Sequence, residues 1–373
     1  NYAIDTGFIV FNDWTYPRFI SMLRELGVNY QNTEMGFSVT QKDSAFEYAG
    51  TNLRTLFARK RNIVNPRFHR MLLDITRFNR SAKEDYERDS IPSDLTLMDY
   101  LNLGNYGHKF IEYYILPMAS AIWSASTEQV RQFNARFFVR FFVNHGLLNI
   151  NHRPQWKTIS GGSREYIEPL TRSFSDNIVL NSAVTSVRRT DHGADITVNG
   201  ERRHFDEVVF ACHSDQALAT LHDATREEKT LLSGIPYADN SVVMHTDISL
   251  LPRRRSAWSS WNYLIDGEQH RRPVLTYNMN ILQNLRCPQT VCVTVNGDEY
   301  INPDKILSRH VYAHPQFGQH SVETQNAWTA INGVQRTWFC GAYWRNGFHE
   351  DGVVSAERVV EQMVQKLEIR RAA

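Results

Sequence analysis

The sequence is poor in cysteine, with only four in 373 residues: Cys212, Cys287, Cys292 and Cys340. None belongs to a Cys-x-x-Cys pair, so neither a disulfide framework nor a cysteine-based zinc site is indicated, and we expect a reducing, cytoplasmic setting. The sequence also lacks a run of 18 apolar residues, so it predicts no membrane-spanning helix. It starts with Asn1-Tyr2 and shows neither an initiator methionine nor a secretory leader. We therefore expect a fragment without its true N-terminus.

No excess of one charge is present. Lys and Arg number 41, Asp and Glu number 40, and the net charge is +1. A protein that binds nucleic acid through bulk electrostatics is normally far more basic. What the sequence does have is an ordinary globular composition with 12% aromatic residues. Such a content suits a large planar or apolar ligand and suits a well-packed core equally well.

The order of patterns predicts two interleaved parts. Residues 2–11 have the pattern of a short buried strand, and 16–27 that of a helix ended by a glycine. Residues 63–150 are mainly helical in pattern, and short β signals follow up to about 212. A helical stretch between β-rich stretches indicates two discontinuous domains.

The most informative local pattern lies near the end of the chain. A strand at 337–340 ends at Gly341, where the missing Cβ lets the backbone approach a ligand closely. A helix begins near Gly352, and its free N–H groups and positive dipole end can hold an electron-rich ligand edge. The alternative is an ordinary strand–loop–helix with an acidic first turn.

This pattern resembles the flavin-contacting end of the flavin-containing amine oxidase superfamily. The chain further resembles a bacterial branch of predicted NAD/FAD-binding amine oxidases and the N-terminal oxidase-like half of plant cyclopropane fatty-acid synthases. The resemblance runs in order from about residue 2 to 368. It rests on blocks at 5–12, 114–118, 121–124, 144–148, 153–156, 161–163, 211–216, 258–263 and 277–280.

The resemblance implies FAD as the cofactor and assigns roles residue by residue. The segment 5–10 corresponds to a strand and turn under the flavin, Val184 to the adenine contact, and 350–353 to the helix start at the pyrimidine edge. The implied cofactor residues are Asp5, Thr6, Gly7, Phe8, Ile9, Val10, Val184, Gly341, Ala342, Glu350, Asp351, Gly352 and Val353. Aromatic residues implied near the substrate are Trp156, Tyr343 and Phe348. No catalytic side chain and no metal ligand is implied, and Ala342 stands where the superfamily often has a carboxylate.

The implied fold is α/β, a two-domain FAD-dependent oxidoreductase with a Rossmann-like FAD domain and a mixed α+β substrate domain. The Gly-x-Gly-x-x-Gly that cradles the FAD pyrophosphate in such enzymes is absent from the 373 residues. We therefore expect the first βαβ unit to be largely missing. The predicted FAD-binding domain comprises 1–12, 155–235 and 333–373, and the substrate domain 13–154 and 236–332.

The implied activity is hydride transfer from substrate to flavin. The cyclopropane-synthase resemblance favours a fatty-acyl or phospholipid substrate, the superfamily an amine, and related enzymes include isomerases and desaturases. The alternative is a non-catalytic, FAD-poor scaffold that binds lipid and partners a lipid methyltransferase. The basic runs Arg253–Arg255 and Arg271–Arg272 are candidates for peripheral contact with phospholipid headgroups, against the alternative of solvated loop charge.

Overall fold

The computed structural model describes residues 2–267 and 272–372, so Arg271 of the second basic run lies outside the described residues. The strands are β1 Val10–Asn12, β2 Tyr30–Asn32, β3 Phe37–Gln41, β4 Glu47–Ala49, β5 Trp156–Ile159, β6 Val184–Thr190, β7 Gly193–Val198, β8 Glu201–Phe205, β9 Val208–Phe210, β10 Tyr237–His245, β11 Trp261–Ile265, β12 Val274–Asn278, β13 Cys292–Val295, β14 Ile306–Pro315 and β15 Thr337–Phe339.

The α-helices follow the same chain order. They are α1 Pro17–Glu25, α2 Leu53–Leu56, α3 Pro66–Glu87, α4 Leu97–Leu103, α5 His108–Phe110, α6 Leu116–Trp123, α7 Thr127–Arg131, α8 Ala135–Asn144, α9 Ile167–Thr171, α10 Ser214–Thr220, α11 Arg226–Ser233, α12 Met279–Leu282, α13 Gln319–Asn326, α14 Trp328–Ile331 and α15 His349–Ala372. A π-helical turn, Ile111–Ile115, joins α5 to α6. Within the described ranges, no helix is both long and apolar enough to cross a membrane.

The chain divides into two compact units, each made of three segments. The first unit comprises Asn1–Thr15, Asn29–Glu165 and Asp239–His314. The second comprises Tyr16–Val28, Tyr166–Ala238 and Pro315–Ala373. Each unit is discontinuous in sequence, and its boundaries differ from those of the predicted domains. The assignment of segments to a flavin domain and a substrate domain stays a prediction.

The first unit is built on a seven-stranded sheet in the order β14-β10-β13-β12-β11-β3-β4. β11 and β3 run parallel, whereas β11–β12, β12–β13, β10–β13 and β3–β4 are antiparallel. A second, three-stranded sheet in the order β1-β5-β2 belongs to the same unit. The predicted strand at 2–11 is shorter than expected, since regular pairing begins only at Val10.

The two faces of the seven-stranded sheet differ in chemistry, because side chains alternate along each strand. One face carries a buried row of Ser38, Asn262, Thr276 and Thr294, whose cross-strand pairing follows the register. Ser38 Oγ donates to Asn262 Oδ1 at 2.8 Å, and the hydroxyls of Thr276 and Thr294 are 2.8 Å apart. These hydrogen bonds satisfy the buried polar atoms and fix the register of the sheet.

The helical layer predicted at 63–150 is confirmed. Asn65 caps α3 through Arg67 N–H at 3.1 Å, and Pro66 occupies the first helical position, where its missing N–H has no cost. The interior of this layer is aromatic. Phe78, Phe110 and Phe138 are fully buried, and each of Phe110 and Phe138 packs its ring against Phe78.

The second unit contains the parallel pair β9–β15 and the antiparallel sheet β6-β7-β8. β15 confirms the predicted strand at 337–340, and α15 starts at His349, three residues before Gly352, near which the sequence predicts the helix start. One of the short β signals predicted before residue 212 is the apolar run 178–180, and it forms no strand. Its side chains are exposed and lack a sheet partner, so hydrophobicity alone did not make it a strand.

Candidate functional site

In the second unit, β15 leads through a tight loop into the start of α15. Gly341 follows the strand with φ of 158°, and an added Cβ would collide with the Tyr343 ring. Its N–H donates to Ser355 Oγ at 3.0 Å, which ties the strand end to the second turn of α15. Glycine is therefore required at 341 by local packing as well as by any ligand.

The first turn of α15 holds two buried carboxylates. Asp351 Oδ2 accepts a hydrogen bond from Phe348 N–H at 3.0 Å, which closes the N-terminal turn, and Arg345 Nε lies 3.6 Å from Asp351 Oδ1. Burial raises the pKa of the Asp351 carboxyl from 3.8 to about 6. Burial and the nearby carboxylates of Asp351 and Glu350 also raise the pKa of Tyr16.

Glu350 is used within the protein. Its two oxygens accept hydrogen bonds from Arg18 N–H at 3.1 Å and Phe19 N–H at 2.9 Å, the orphan donors at the start of α1. No side chain of α1 itself provides that cap. The acidic first turn of α15 therefore fixes a second helix, a role that sequence reasoning did not assign to Glu350.

The space beside the Gly352 Cα is nearly free of other protein atoms. A Cβ built there would meet only the Cβ of Ala342, at 4.0 Å. Ala342 and Gly352 thus face each other with little side-chain bulk between them, beside the N–H groups of the first turn of α15. A flat, electron-rich ring edge can approach this backbone, so these residues fit the flavin of FAD.

The predicted substrate aromatics of this unit differ in exposure. The Tyr343 ring is buried and packs against Trp344, with ring centroids 5.0 Å apart, whereas Phe348 is half-buried. Burial raises the pKa of the Tyr343 hydroxyl, which stays protonated. Val184, predicted to meet adenine, begins β6, is 40% exposed and pairs with Val198.

In the first unit, Asp5 organises the segment 5–10. Its carboxylate accepts hydrogen bonds from Ser163 N–H at 3.0 Å and from Gln283 Nε2 at 2.8 Å. Gly162, with φ of 94°, brings the backbone close to that carboxylate. Burial raises the pKa of Asp5. Gly162, part of the block 161–163 that carries the family resemblance, thus also helps to hold Asp5.

The remaining residues of the segment take different positions. The Thr6 hydroxyl lies 2.6 Å from the Tyr312 hydroxyl, and a Cβ at Gly7 would meet the same tyrosine ring at 4.0 Å. Phe8 has φ of 53° and a 59% exposed side chain, Ile9 is buried, and Val10 enters β1. Trp156 is half-buried at the start of β5.

Sequence reasoning assigned no role to an apolar row across the seven-stranded sheet of this unit. Consecutive strands place these residues directly opposite one another, and the row is Met244, Val293, Tyr277, Trp261 and Phe37. All but Val293 are half-buried, and Trp261 packs edge-on against Tyr277 with ring centroids 5.2 Å apart. Ile4 and Val10 pack against the buried hydrophobic cluster that contains Val293, and Met244, Trp261 and Tyr277 pack against the same cluster. The row is an apolar surface next to the segment that was predicted to contact the flavin.

The row contains one buried side-chain nitrogen with no hydrogen bond in the part of the chain that the structure describes. Trp261 Nε1 is buried and has no partner among the described residues. An indole N–H only donates, so it favours a ligand that brings an acceptor oxygen. A protonated amine brings none.

The chain is similar in sequence to one protein family and in structure to several solved proteins. Residues 1–246 match the sequence profile of the family described as flavin containing amine oxidoreductase. No curated protein sequence matches the chain.

Several solved structures share the fold. Cyclohexylamine oxidase from Brevibacterium oxydans IH-35A has a TM-score of 0.64 at 12% identity, over 98% of this chain and 88% of that one. The CLA-producing fatty acid isomerase from P. acnes has a TM-score of 0.67 at 13% identity, over 97% and 88%. Wild-type putrescine oxidase bound to putrescine has a TM-score of 0.62 at 13% identity, over 95% and 87%.

Proposed function

Because this chain belongs to the flavin-containing amine oxidoreductase family and is a flavin-dependent oxidoreductase with FAD as its cofactor, we propose that it acts on a fatty-acyl or phospholipid substrate. When bound, FAD would supply the two-electron acceptor for a hydride that leaves a C–H bond of the substrate, while the adjacent C–C or C–N bond becomes a double bond and a proton is released. The protein supplies position, an apolar environment and fixed dipoles.

Each unit contains residues that the family resemblance assigns to the cofactor. In the second unit, the residues that we propose to lie against FAD are 351–353, Gly341, Ala342 and the exposed Val184 at the start of β6. The Gly352 N–H already donates to the Phe348 carbonyl at 3.1 Å, so the role proposed for Gly352 is close approach rather than hydrogen bonding. There Glu350 acts indirectly, because its carboxylate holds α1. In the first unit, residues 5–10 are positioned by Asp5 and its hydrogen bonds to Ser163 and Gln283.

The observation that carries the substrate proposal is the apolar row with the single N–H donor of Trp261. An acyl chain would cover Met244, Tyr277 and Phe37, and its carboxyl or ester oxygen would accept from Trp261 Nε1. An extended chain gains free energy from each methylene it buries on such a surface. Two likenesses support the same class of substrate: the fatty acid isomerase with this fold and the resemblance to cyclopropane fatty-acid synthases. From that resemblance we also propose a lipid methyltransferase as a functional partner.

The rival substrate is an amine, as in the cyclohexylamine and putrescine oxidases with this fold. The FAD-loaded protein is mixed without oxygen with fatty acids, phospholipid vesicles or primary amines, and loss of the visible flavin absorbance is followed. We expect bleaching by the acyl lipids. Bleaching by amines alone would overturn the lipid proposal.

A pair of tryptophan variants tests the site itself. Trp261→Phe keeps an aromatic side chain and removes the unpartnered N–H donor, so KM for the acyl substrate should rise about tenfold or more. Trp258→Phe is the matched control, because its Nε1 already donates to the Pro252 carbonyl at 2.8 Å. An unchanged KM in Trp261→Phe would remove Trp261 from the substrate contact.

A further inference from the structure

A stretch of the first unit from Glu47 to Asp74 contains no acidic residue between these two, yet it contains six Arg and Lys residues. Those cations are Arg54, Arg59, Lys60, Arg61, Arg67 and Arg70. All are exposed except Arg59, which is half-buried. The stretch spans α2, a 3-10 helix at Lys60–Val64 and the beginning of α3. Positive charge is therefore concentrated locally in a chain whose net charge is only +1.

Most of this charge is not neutralised. Arg70 lies 3.3 Å from the Asp74 carboxylate, but within the described ranges no ion pair involves the other five cations. Burial, and after it the like charges of Arg67 and Arg59, lower the pKa of the nearby Lys109. The cations thus repel one another in the folded protein, and an anionic partner would relieve that repulsion.

The basic run Arg253–Arg255 adds to the same surface. Its short 3-10 helix, Arg255–Ala257, packs against α2, and all three arginine side chains are exposed. Glu47 pairs with Arg254 and accepts a hydrogen bond from Arg253 N–H at 2.9 Å, so the guanidinium groups of Arg253 and Arg255 remain available. We call residues 53–67 together with Arg253–Arg255 the basic surface.

Exposed apolar side chains are mixed with these cations. Leu53 is 74% exposed, Val64 78% and Ile63 52%. Val64 also lines an open cleft of about 520 Å³ between Arg59 and Arg61, with Asn62, Asn65 and Pro66 completing its wall. Apolar groups that stand out among basic ones match the boundary between lipid headgroups and acyl chains.

We propose that the basic surface docks on an anionic phospholipid bilayer, with Leu53, Ile63 and Val64 entering the interface. Charge complementarity selects the anionic surface, and the apolar side chains favour a bilayer over a nucleic acid, whose phosphate backbone offers them no apolar environment. Each Lys or Arg near such a surface strengthens binding about fivefold. The docking goes beyond the proposed oxidation and holds whatever the substrate is.

Vesicle flotation of the full protein tests the charge contribution. The vesicles are phosphatidylcholine alone, or phosphatidylcholine and phosphatidylglycerol in equal amounts. We expect binding only to the second kind, weakened by added salt. The variant Arg54→Gln/Lys60→Gln/Arg61→Gln should bind about a hundredfold more weakly, because three fivefold contributions are lost. Its matched control is Arg24→Gln/Arg226→Gln/Lys229→Gln, which removes the same charge from exposed positions of the second unit and should bind like the wild type.

A second pair of variants separates a bilayer from other polyanions. Leu53→Asn/Val64→Asn should weaken vesicle binding about tenfold or more, while Leu103→Asn/Val311→Asn, at 76% and 67% exposed positions of the same unit, should not. Circular dichroism and thermal unfolding verify that each variant folds. No binding by the wild type, equal loss in the charge control, or loss with the charges but not with Leu53 and Val64 would each overturn the proposal.

Discussion

The Glu350 carboxylate accepts a hydrogen bond from Phe19 N–H at 2.9 Å, so the first turn of α15 caps the first turn of α1. The two residues lie 331 positions apart in the sequence, and both belong to the second unit. The negative carboxylate also complements the positive end of the α1 dipole. Two helix starts are thus fixed by one side chain.

Removal of the Glu350 carboxylate should destabilise the protein without removing a direct contact to a ligand. Glu350→Ala leaves two N–H groups of α1 without partners, so we expect a loss of about 1–2 kcal/mol in the free energy of unfolding. Urea unfolding measures it. Glu357→Ala is the control, because its exposed 3.5 Å ion pair with Arg18 contributes about 0.5 kcal/mol or less. Equal losses in both variants would contradict the capping role.

Asp351 should make stability depend on pH. Its pKa is about 6 in the folded protein and 3.8 in the unfolded chain, so the folded state binds the extra proton between these values. Stability from this residue is therefore greatest below pH 4 and declines as the pH rises through 6, by at most about 3 kcal/mol. Asp351→Asn does not ionise, so its unfolding free energy relative to wild type should rise from about pH 4 to about pH 7. A constant difference between the two proteins would show that Asp351 titrates normally.

Substitutions at Gly352 should affect the stability of the protein and its flavin binding differently. Gly352→Ala adds a methyl group where only Ala342 lies within 4.0 Å, so the flavin-free protein should gain up to about 1 kcal/mol from helix propensity. Thermal unfolding of the flavin-free chain measures that gain.

The larger Gly352→Trp should crowd the same space and abolish flavin retention, which the visible absorbance of the purified protein reports. Gly341→Ala is a different case, because its added Cβ collides with Tyr343 and should destabilise the fold itself. Unchanged flavin content in Gly352→Trp would show that the cofactor does not approach this helix start.

The buried ion pair of Arg189 and Glu228 should be the most sensitive charged position of the second unit. Two hydrogen bonds of 2.5 and 2.9 Å join the side chains, which are 2% and 1% exposed. Glu228→Gln leaves the guanidinium charge buried with only Asp223 nearby, so we expect a loss of about 3 kcal/mol. Exposed Glu227→Gln should change stability by about 0.5 kcal/mol or less. Chemical unfolding compares them, and similar small losses would contradict the role of the pair.

The elements that the sequence predicted correctly are those whose patterns lie within a short stretch of neighbouring residues. The helix at 16–27 has its apolar positions on one face and a closing glycine, and the structure has α1 at Pro17–Glu25. The same holds for β15 and for the helices between 63 and 150. Local spacing is sufficient there because helix and strand periodicity are properties of neighbouring residues.

Contacts between distant residues could not be predicted in this way. The acidic first turn of α15 was evident, but nothing in the sequence indicates that Glu350 reaches α1. The alternation of Trp261 and Tyr263 is visible, but the apolar row exists only once the register of five strands is known. Likewise, Asp5 appeared as a ligand candidate, whereas its burial by Ser163 and Gln283 depends on residues more than 150 positions away.

Because β3 pairs with β11, which is synthesised much later, part of the folding of β3 must wait during translation. Ser38 and Asn262, which hydrogen-bond across this pair, are 224 residues apart. A ribosome adding about 5–20 residues per second needs roughly 10–45 s to bridge them. During that interval β3 can pair with β4 but not with β11, so its other edge stays open to wrong partners. A cell that makes this protein must therefore protect an unpaired strand for many seconds, which makes its yield depend on translation speed and on chaperones.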